Sequence, residues 1–294
     1  MASRILRPMR QRSGSILCPS CSQLVGVNDA QCYHCGRRNP GLFGFAPALR
    51  SLGLEAGFVP LILWTCGALY IASLAMDLEG VGMSGLFGLV SPSIPSLFVL
   101  GSSGAIPVFR FGHWWTVLSA AWLHGSLLHI VFNMMWVRDL VPAITNLYGS
   151  ARTVILYTIA SITGFAASSF AGAYLTFLPS SLSFLRGSQL TVGASAPVFG
   201  LMGALAYYGR RSGSRHISDQ SRSMAMGGIV FGLMMPGIDN WAHLGGFLGG
   251  YLAGRFLDPL LPERGDHVVA ALVCLLLSAA SIAVSVFLGL PAVR

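Results

Sequence analysis

Lysine is absent from this 294-residue chain, and charge of either sign is scarce: 18 arginines and ten acidic residues make 10% of it. An ordinary soluble domain carries roughly 25% charged residues, so the composition excludes one. The arginines gather in the first fifty residues and in a few short loops. That distribution fits the excess of basic residues in cytoplasmic loops of membrane proteins, and nucleic acid is not the implied partner. Carboxylates are missing from the interior of every apolar run, and no internal repeat is visible. Both absences argue against an ion or proton transporter. A cleavable secretion signal is lacking too, because Arg4, Arg7, Arg10 and Arg12 lead into a polar, cysteine-bearing segment rather than an apolar core. The N-terminus is expected to stay in the cytosol.

What the chain does have is hydrophobic length: 54% of its residues are apolar. Runs near 20 residues, the length that crosses a bilayer, predict seven spans: 58–76, 114–140, 153–177, 190–208, a short 224–235, 241–257 and 267–290. The fold class is therefore all-α, a polytopic membrane helix bundle. Arg138, Arg152, Arg210, Arg211, Arg215 and Arg222 fall on the cytosolic side of this topology, whereas Asp77, Glu79, Arg110, Arg186 and Asp239 fall on the other. The 77–113 connection is long and partly apolar, which predicts a segment packed on the outer membrane face. The short fifth span and the "PGIDN" turn, 236–240, suggest a mobile gate.

Residues 1–50 form a separate segment. "CPSC" (Cys18, Cys21) and "CYHC" (Cys32, Cys35) are two tight C-x2-C turns ten residues apart. Four thiolates so spaced suit a structural zinc, whose binding would supply folding energy that so small a segment lacks. Two disulfides are the alternative, which a reducing cytosol disfavours. His34 is expected to lie exposed beside the turns, and Cys66 and Cys274 to be small buried hydrophobes.

Ionisable groups inside spans are functional candidates by default, and this chain has few. "HGSLLHIVFN" places His124, His129 and Asn133 in the second span, "GASAPVFG" places Ser195 at the start of the fourth, and "AHLGG" places His243 in the sixth. Any one could serve only as packing glue between helices. As a set they offer a hydroxyl, a base and oxyanion donors, the requirements of nucleophilic catalysis, while metal binding would need more converging ligands. Ala196, Gly200 and Ala204 recur at intervals of four, as do Ala242, Gly246, Gly250 and Gly254. Small residues at that interval let two helices approach closely, which would bring Ser195 and His243 together near the outer end. The first turn of the fourth helix favours developing negative charge, and Pro197 is tolerated there.

H-x4-H-x3-N at His124, His129 and Asn133, G-x-S at Gly193 to Ser195 and A-H-x-G-G at Ala242 to Gly246, in that order, resemble the rhomboid family of intramembrane serine proteases. The resemblance covers about residues 57–257. It implies Ser195 as nucleophile and His243 as general base, with His129 and Asn133 assisting the oxyanion and His124 structural or positioning water. It also implies Phe199 stacked on the base. Ala196 stands where the family usually has glycine, and Trp115 is followed by Thr116 where the family commonly has arginine.

The division that follows is a zinc-ribbon-like segment and linker at 1–50, a six-helix catalytic core at 51–260 and an additional C-terminal membrane helix at 261–294. The expected activity is serine endopeptidase cleavage of transmembrane segments, with no cofactor for catalysis; the alternative is a catalytically silent relative that binds such segments. Partners would be transmembrane substrates, the lipid bilayer and a cytosolic partner of the zinc segment. The expected location is the bacterial inner membrane.

Overall fold

The computed structural model describes residues 11–18, 23–36, 38–41, 57–85, 88–179, 185–235 and 237–293. Arg4, Arg7, Arg10, Cys21 and Pro236, named above, lie outside these. At the N-terminus, β1 (Ser15–Leu17) pairs antiparallel with β2 (Leu24–Gly26), Ile16 opposite Val25. Ile16, Cys18, Val25, Val27 and Cys32 form a small cluster of their own, apart from the main core.

The membrane part begins with α1 (Phe58–Ala75). A long connection follows, holding the hairpin β3 (Gly82–Ser84) and β4 (Gly88–Ser91), α2 (Ile94–Val99), a wide turn at Ile106–Arg110, α3 (Thr116–Ser119) and a tight turn at Ala120–Trp122. Six long helices complete the described chain: α4 (Leu127–Tyr148), α5 (Ser150–Tyr174), α6 (Ser195–Ser212), α7 (Arg215–Met234), α8 (Asn240–Phe256) and α9 (Gly265–Val293). Four of the seven long helices are long and apolar enough to cross a membrane on composition alone: α1, α4, α5 and α9, the last over Gly265–Leu290. The chain is a multi-pass membrane protein.

Three span boundaries differ from expectation. The second was expected from Trp114, but 114–126 is apolar sequence folded as short turns, and the long helix starts only at Leu127, where Ser126 Oγ accepts the His129 N–H at 3.3 Å. His124 therefore precedes the helix. The fourth starts at Ser195 instead of Leu190, because Thr191 pairs with Ser103 in a short bridge and Gly193 turns the chain at φ +133°. The fifth is a full 20-residue helix rather than a dozen residues. Its first turns are polar on the outside and bury Ser218 and Ser221, so apolarity alone hides them.

The sequence's small residues explain the packing at the centre. The largest helix interface is α6 on α8, and it has no room for side chains. A Cβ on Gly246 would stand 2.1 Å from the Ala196 carbonyl oxygen, and one on Gly250 would stand 1.9 Å from that of Gly200. Helix α5 joins the pair through Gly164, where a Cβ would meet the Ala242 carbonyl oxygen at 2.6 Å and the Ala196 Cβ at 2.9 Å. The Ala196 methyl thus points into the α5–α6–α8 contact and is fully buried.

Helix α9 holds the long connection in place. Trp115 Nε1 donates to Ser285 Oγ at 3.0 Å, and a Cβ on Gly289 would lie 2.8 Å from Val99 Cα. At the opposite end from Ser195 and His243, the buried Arg152 guanidinium ties three elements together. It donates to the carbonyls of Leu257, Asp258 and Leu261 at 2.7 to 3.0 Å and to that of Tyr148. The Arg152 N–H donates to Glu263 Oε1 at 2.9 Å. This contact ties the loop between α8 and α9 to the start of α5.

Candidate active site

Ser195 opens α6 and is half-buried, and no N-cap side chain accepts from the N–H groups of the first turn. Those groups and the helix dipole make the surroundings of its Oγ favourable to an anion. The approach to the serine is pinned from several sides. The Gly193 N–H donates to the Ala120 carbonyl at 2.9 Å, and the Ala194 N–H approaches His124 Nε2 at 3.5 Å. His124 is fully buried, which makes it a support for the turn ahead of the serine. Its Nδ1 is buried without a hydrogen-bond partner.

Gly193 could be no other residue. Its φ of +133° suits glycine, and a Cβ there would lie 2.6 Å from His129 Nε2 and 3.6 Å from Ser195 Oγ. The same distances show that the His129 ring and the serine hydroxyl border one space. His129 Nδ1 accepts the Gly125 N–H at 3.3 Å. An accepting Nδ1 in a neutral ring leaves the proton on Nε2, so His129 presents an N–H donor beside Ser195. Asn133, one turn on and buried, donates one amide hydrogen to the His129 carbonyl at 2.9 Å, keeping its second for another acceptor.

His243 lies in the first turn of α8 and is 6% exposed. Its ring stacks on Phe199, with centroids 4.0 Å apart and planes 7° from parallel. The Cζ tip of Phe199 is closed off by α7, since a Cβ on Gly228 would sit 2.4 Å from it. His243 Nδ1 is buried without a hydrogen-bond partner, so no carboxylate orients this imidazole.

Asp239, one turn before His243, was read from sequence only as a loop charge. The structure shows it capping α8: Oδ1 accepts the Ala242 N–H at 3.0 Å, Oδ2 accepts the Ser168 hydroxyl at 2.5 Å, and its carbonyl accepts the His243 N–H at 3.1 Å. An Asp two residues ahead of a Trp-Ala-His turn is a recognisable N-cap signal. Each of its oxygens thus accepts one hydrogen bond, neither of them from His243.

A multi-pass helix bundle with a serine and a histidine on tightly packed neighbouring helices narrows the class, and the sequence comparisons give the family. The chain belongs to the rhomboid family: the family model described as Rhomboid domain matches residues 111–259. It is similar to Rhomboid protease GluP of Bacillus subtilis (strain 168), 32% identical over 157 residues, covering 52% of this chain and 28% of that protein. It is similar also to RHOMBOID-like protein 4 of Arabidopsis thaliana, 32% identical over 181 residues, covering 60% and 42%. Rhomboid-like protease 1 of Toxoplasma gondii is 28% identical over 204 residues, covering 66% and 61%. The chain thus spans less than two thirds of the length of each of these relatives.

Proposed function

We propose that this protein is an intramembrane serine endopeptidase that cleaves transmembrane segments of other membrane proteins with a Ser195–His243 dyad. The observation that carries the reading is the α6–α8 contact. Ala196 and Ala242, the neighbours of serine and histidine, meet at Gly164 with no side chain between the helices. That contact supports the reading by bringing the first turns of α6 and α8, which carry the two residues, side by side.

In this reading His243 takes the Ser195 proton as the hydroxyl oxygen attacks a substrate carbonyl, giving a tetrahedral oxyanion. The Ser195 N–H, the His129 Nε2–H and the uncommitted Asn133 amide hydrogen donate to it. His243 then returns the proton to the departing amine, and water hydrolyses the acyl-enzyme by the same steps. Phe199 takes over the orienting task that an acid performs in a triad. Pro197 has no N–H to offer, so the donors must be those three. A substrate helix must first be unwound at the cut, because its carbonyls are otherwise held in hydrogen bonds. The Ala196 methyl, turned toward Gly164, leaves the acyl position to the serine side of the helix.

The arginine distribution supports an N-terminus in the cytoplasm and a site near the outer face, and we place the protein in the bacterial inner membrane. Fluorophosphonate labelling of detergent-purified protein tests the chemistry. Labelling of the parent, lost in Ser195→Ala and His243→Ala, is the expected result. A folded parent that does not label would leave a protein that binds transmembrane segments without cutting them.

A further inference from the structure

We infer that Cys18, Cys32 and Cys35 are thiolate ligands of one structural zinc ion, which holds the N-terminal segment folded. Their sulfur atoms all lie within 4.8 Å of one another, although 14 residues of chain separate Cys18 from Cys32. Cys18 Sγ and Cys35 Sγ are 3.7 Å apart. A disulfide requires about 2.05 Å. Two sulfurs bound to one tetrahedral zinc at about 2.3 Å stand about 3.8 Å apart, the edge of that tetrahedron. The separation therefore matches shared coordination and excludes a Cys18–Cys35 bond.

The backbone is arranged to deliver these sulfurs. The Cys18 N–H donates to the Gln23 carbonyl at 2.8 Å, closing the chain on itself after β1. The Gly36 N–H donates to the Cys32 carbonyl at 2.9 Å, closing the Cys32–Cys35 turn, and Gly36 takes φ +71° to leave it. Gln31 Nε2 bonds the Gly36 carbonyl at 2.8 Å from the other side. His34 is exposed and stands outside the sulfur cluster. The fourth thiol of the pattern, Cys21, lies outside the described residues.

Energetics point the same way. Among the described residues, this segment's hydrophobic cluster contains, besides two of the cysteines, Ile16, Val25 and Val27. Three side chains of that size, each contributing about 1.5–3 kcal/mol when fully buried, do not offset the backbone entropy of ordering the segment, at about 1–2 kcal/mol per residue. A bound zinc does so, because its binding free energy in such a site is folding free energy. Soft thiolates in tetrahedral array select zinc or iron among the common metals. Zinc has no redox chemistry and suits a purely structural position.

The inference does not depend on the protease reading, and its test is separate. The full chain is purified in detergent under reducing, chelator-free conditions and its metal measured by mass spectrometry. About one zinc per chain is expected, released to a chromogenic chelator when a mercurial blocks the thiols. Cys32→Ser should lower the content about tenfold, whereas Cys274→Ser, in the membrane helix α9, should leave it unchanged. Should Cys32→Ser fail to fold, exchange of the parent with cobalt gives the same answer through the intense absorption of tetrahedral cobalt thiolate. Zinc below about a tenth of an equivalent in a folded parent, iron in its place, or a disulfide found by peptide mapping would each overturn the assignment. Fluorophosphonate reactivity is scored on the same sample, so loss of one conclusion is distinguishable from loss of the other.

Discussion

Phe199 lies flat against His243, 4.0 Å between ring centroids and 7° between planes, and Gly228 of α7 abuts the Cζ tip of the phenyl ring. Phe199→Leu keeps the volume and loses the ring face. An aromatic pair of this kind contributes about 0.5–1.5 kcal/mol, and each 1.36 kcal/mol is tenfold in rate. Fluorophosphonate labelling should slow up to about tenfold in Phe199→Leu, and Phe199→Tyr should slow it as well, because a hydroxyl on Cζ would run into the Gly228 backbone.

Gly193→Ala forces a methyl to within 2.6 Å of His129 Nε2 on a backbone with φ +133°. Displacing one oxyanion donor costs about 10²–10³ in rate. Cleavage of a transmembrane reporter should fall by at least about 100-fold. Circular dichroism should show the helix bundle retained. An active Gly193→Ala enzyme would remove His129 from the proposed chemistry.

Asp239 is predicted to act on His243 through the first turn of α8. Asp239→Ala removes the cap, worth about 1 kcal/mol, and should lower the unfolding midpoint by about 2–4 °C and slow labelling. Asn caps as well as Asp, so Asp239→Asn should restore most of both. Equal losses in the two variants would assign the effect to the Ser168 contact instead.

Arg152 is 3% exposed and serves carbonyls from two separate parts of the chain. Arg152→Ala leaves those carbonyls without their buried donor, at about 1–3 kcal/mol for each group left unsatisfied. Thermal unfolding in detergent should show that loss. Arg152→Lys should not rescue it, because an ammonium on a single stem cannot reproduce the planar fork.

Asp258 adds a pH dependence on the same face. The Leu260 N–H, with Arg211 at 3.0 Å, holds its carboxyl below the ordinary carboxylate value. A depressed folded value means stabilisation that is present above the unfolded value near about 3.9 and lost as pH falls through the folded one. The midpoint difference between the parent and Asp258→Asn should be full at pH 6 and shrink below pH 4. A difference that grows toward acid would contradict the sign.

Much of the bundle was legible in the sequence because a bilayer imposes a simple rule. Runs of about 20 apolar residues marked α1, α5 and α9 to within a few residues, and the four-residue spacing of Ala196, Gly200, Gly246 and Gly250 marked the helix pair that packs most closely. The rule failed where burial by protein replaces burial by lipid. The apolar stretch 114–126 is wound into short turns that pack into the core, and the polar start of α7 is helical with Ser221 bonded to the Met202 carbonyl of α6. The comparisons with known proteins reach the family, which the motifs had already indicated.

The sequence by itself determined the set of chemical groups: one serine at a helix start, histidines and an asparagine within the apolar runs, and four cysteines in two tight turns. Only the tertiary structure decided their relations. Which ring nitrogen of His129 carries a proton depends on the Gly125 N–H, and how His243 is oriented depends on Phe199. Asp239 caps α8 with one oxygen while Ser168, 71 residues away, donates to the other. Spacing along one helix constrains direction, but hydrogen bonds and ring contacts between helices depend on approach distances of a few tenths of an ångström, which are fixed only when the glycine faces of α5, α6 and α8 close on one another.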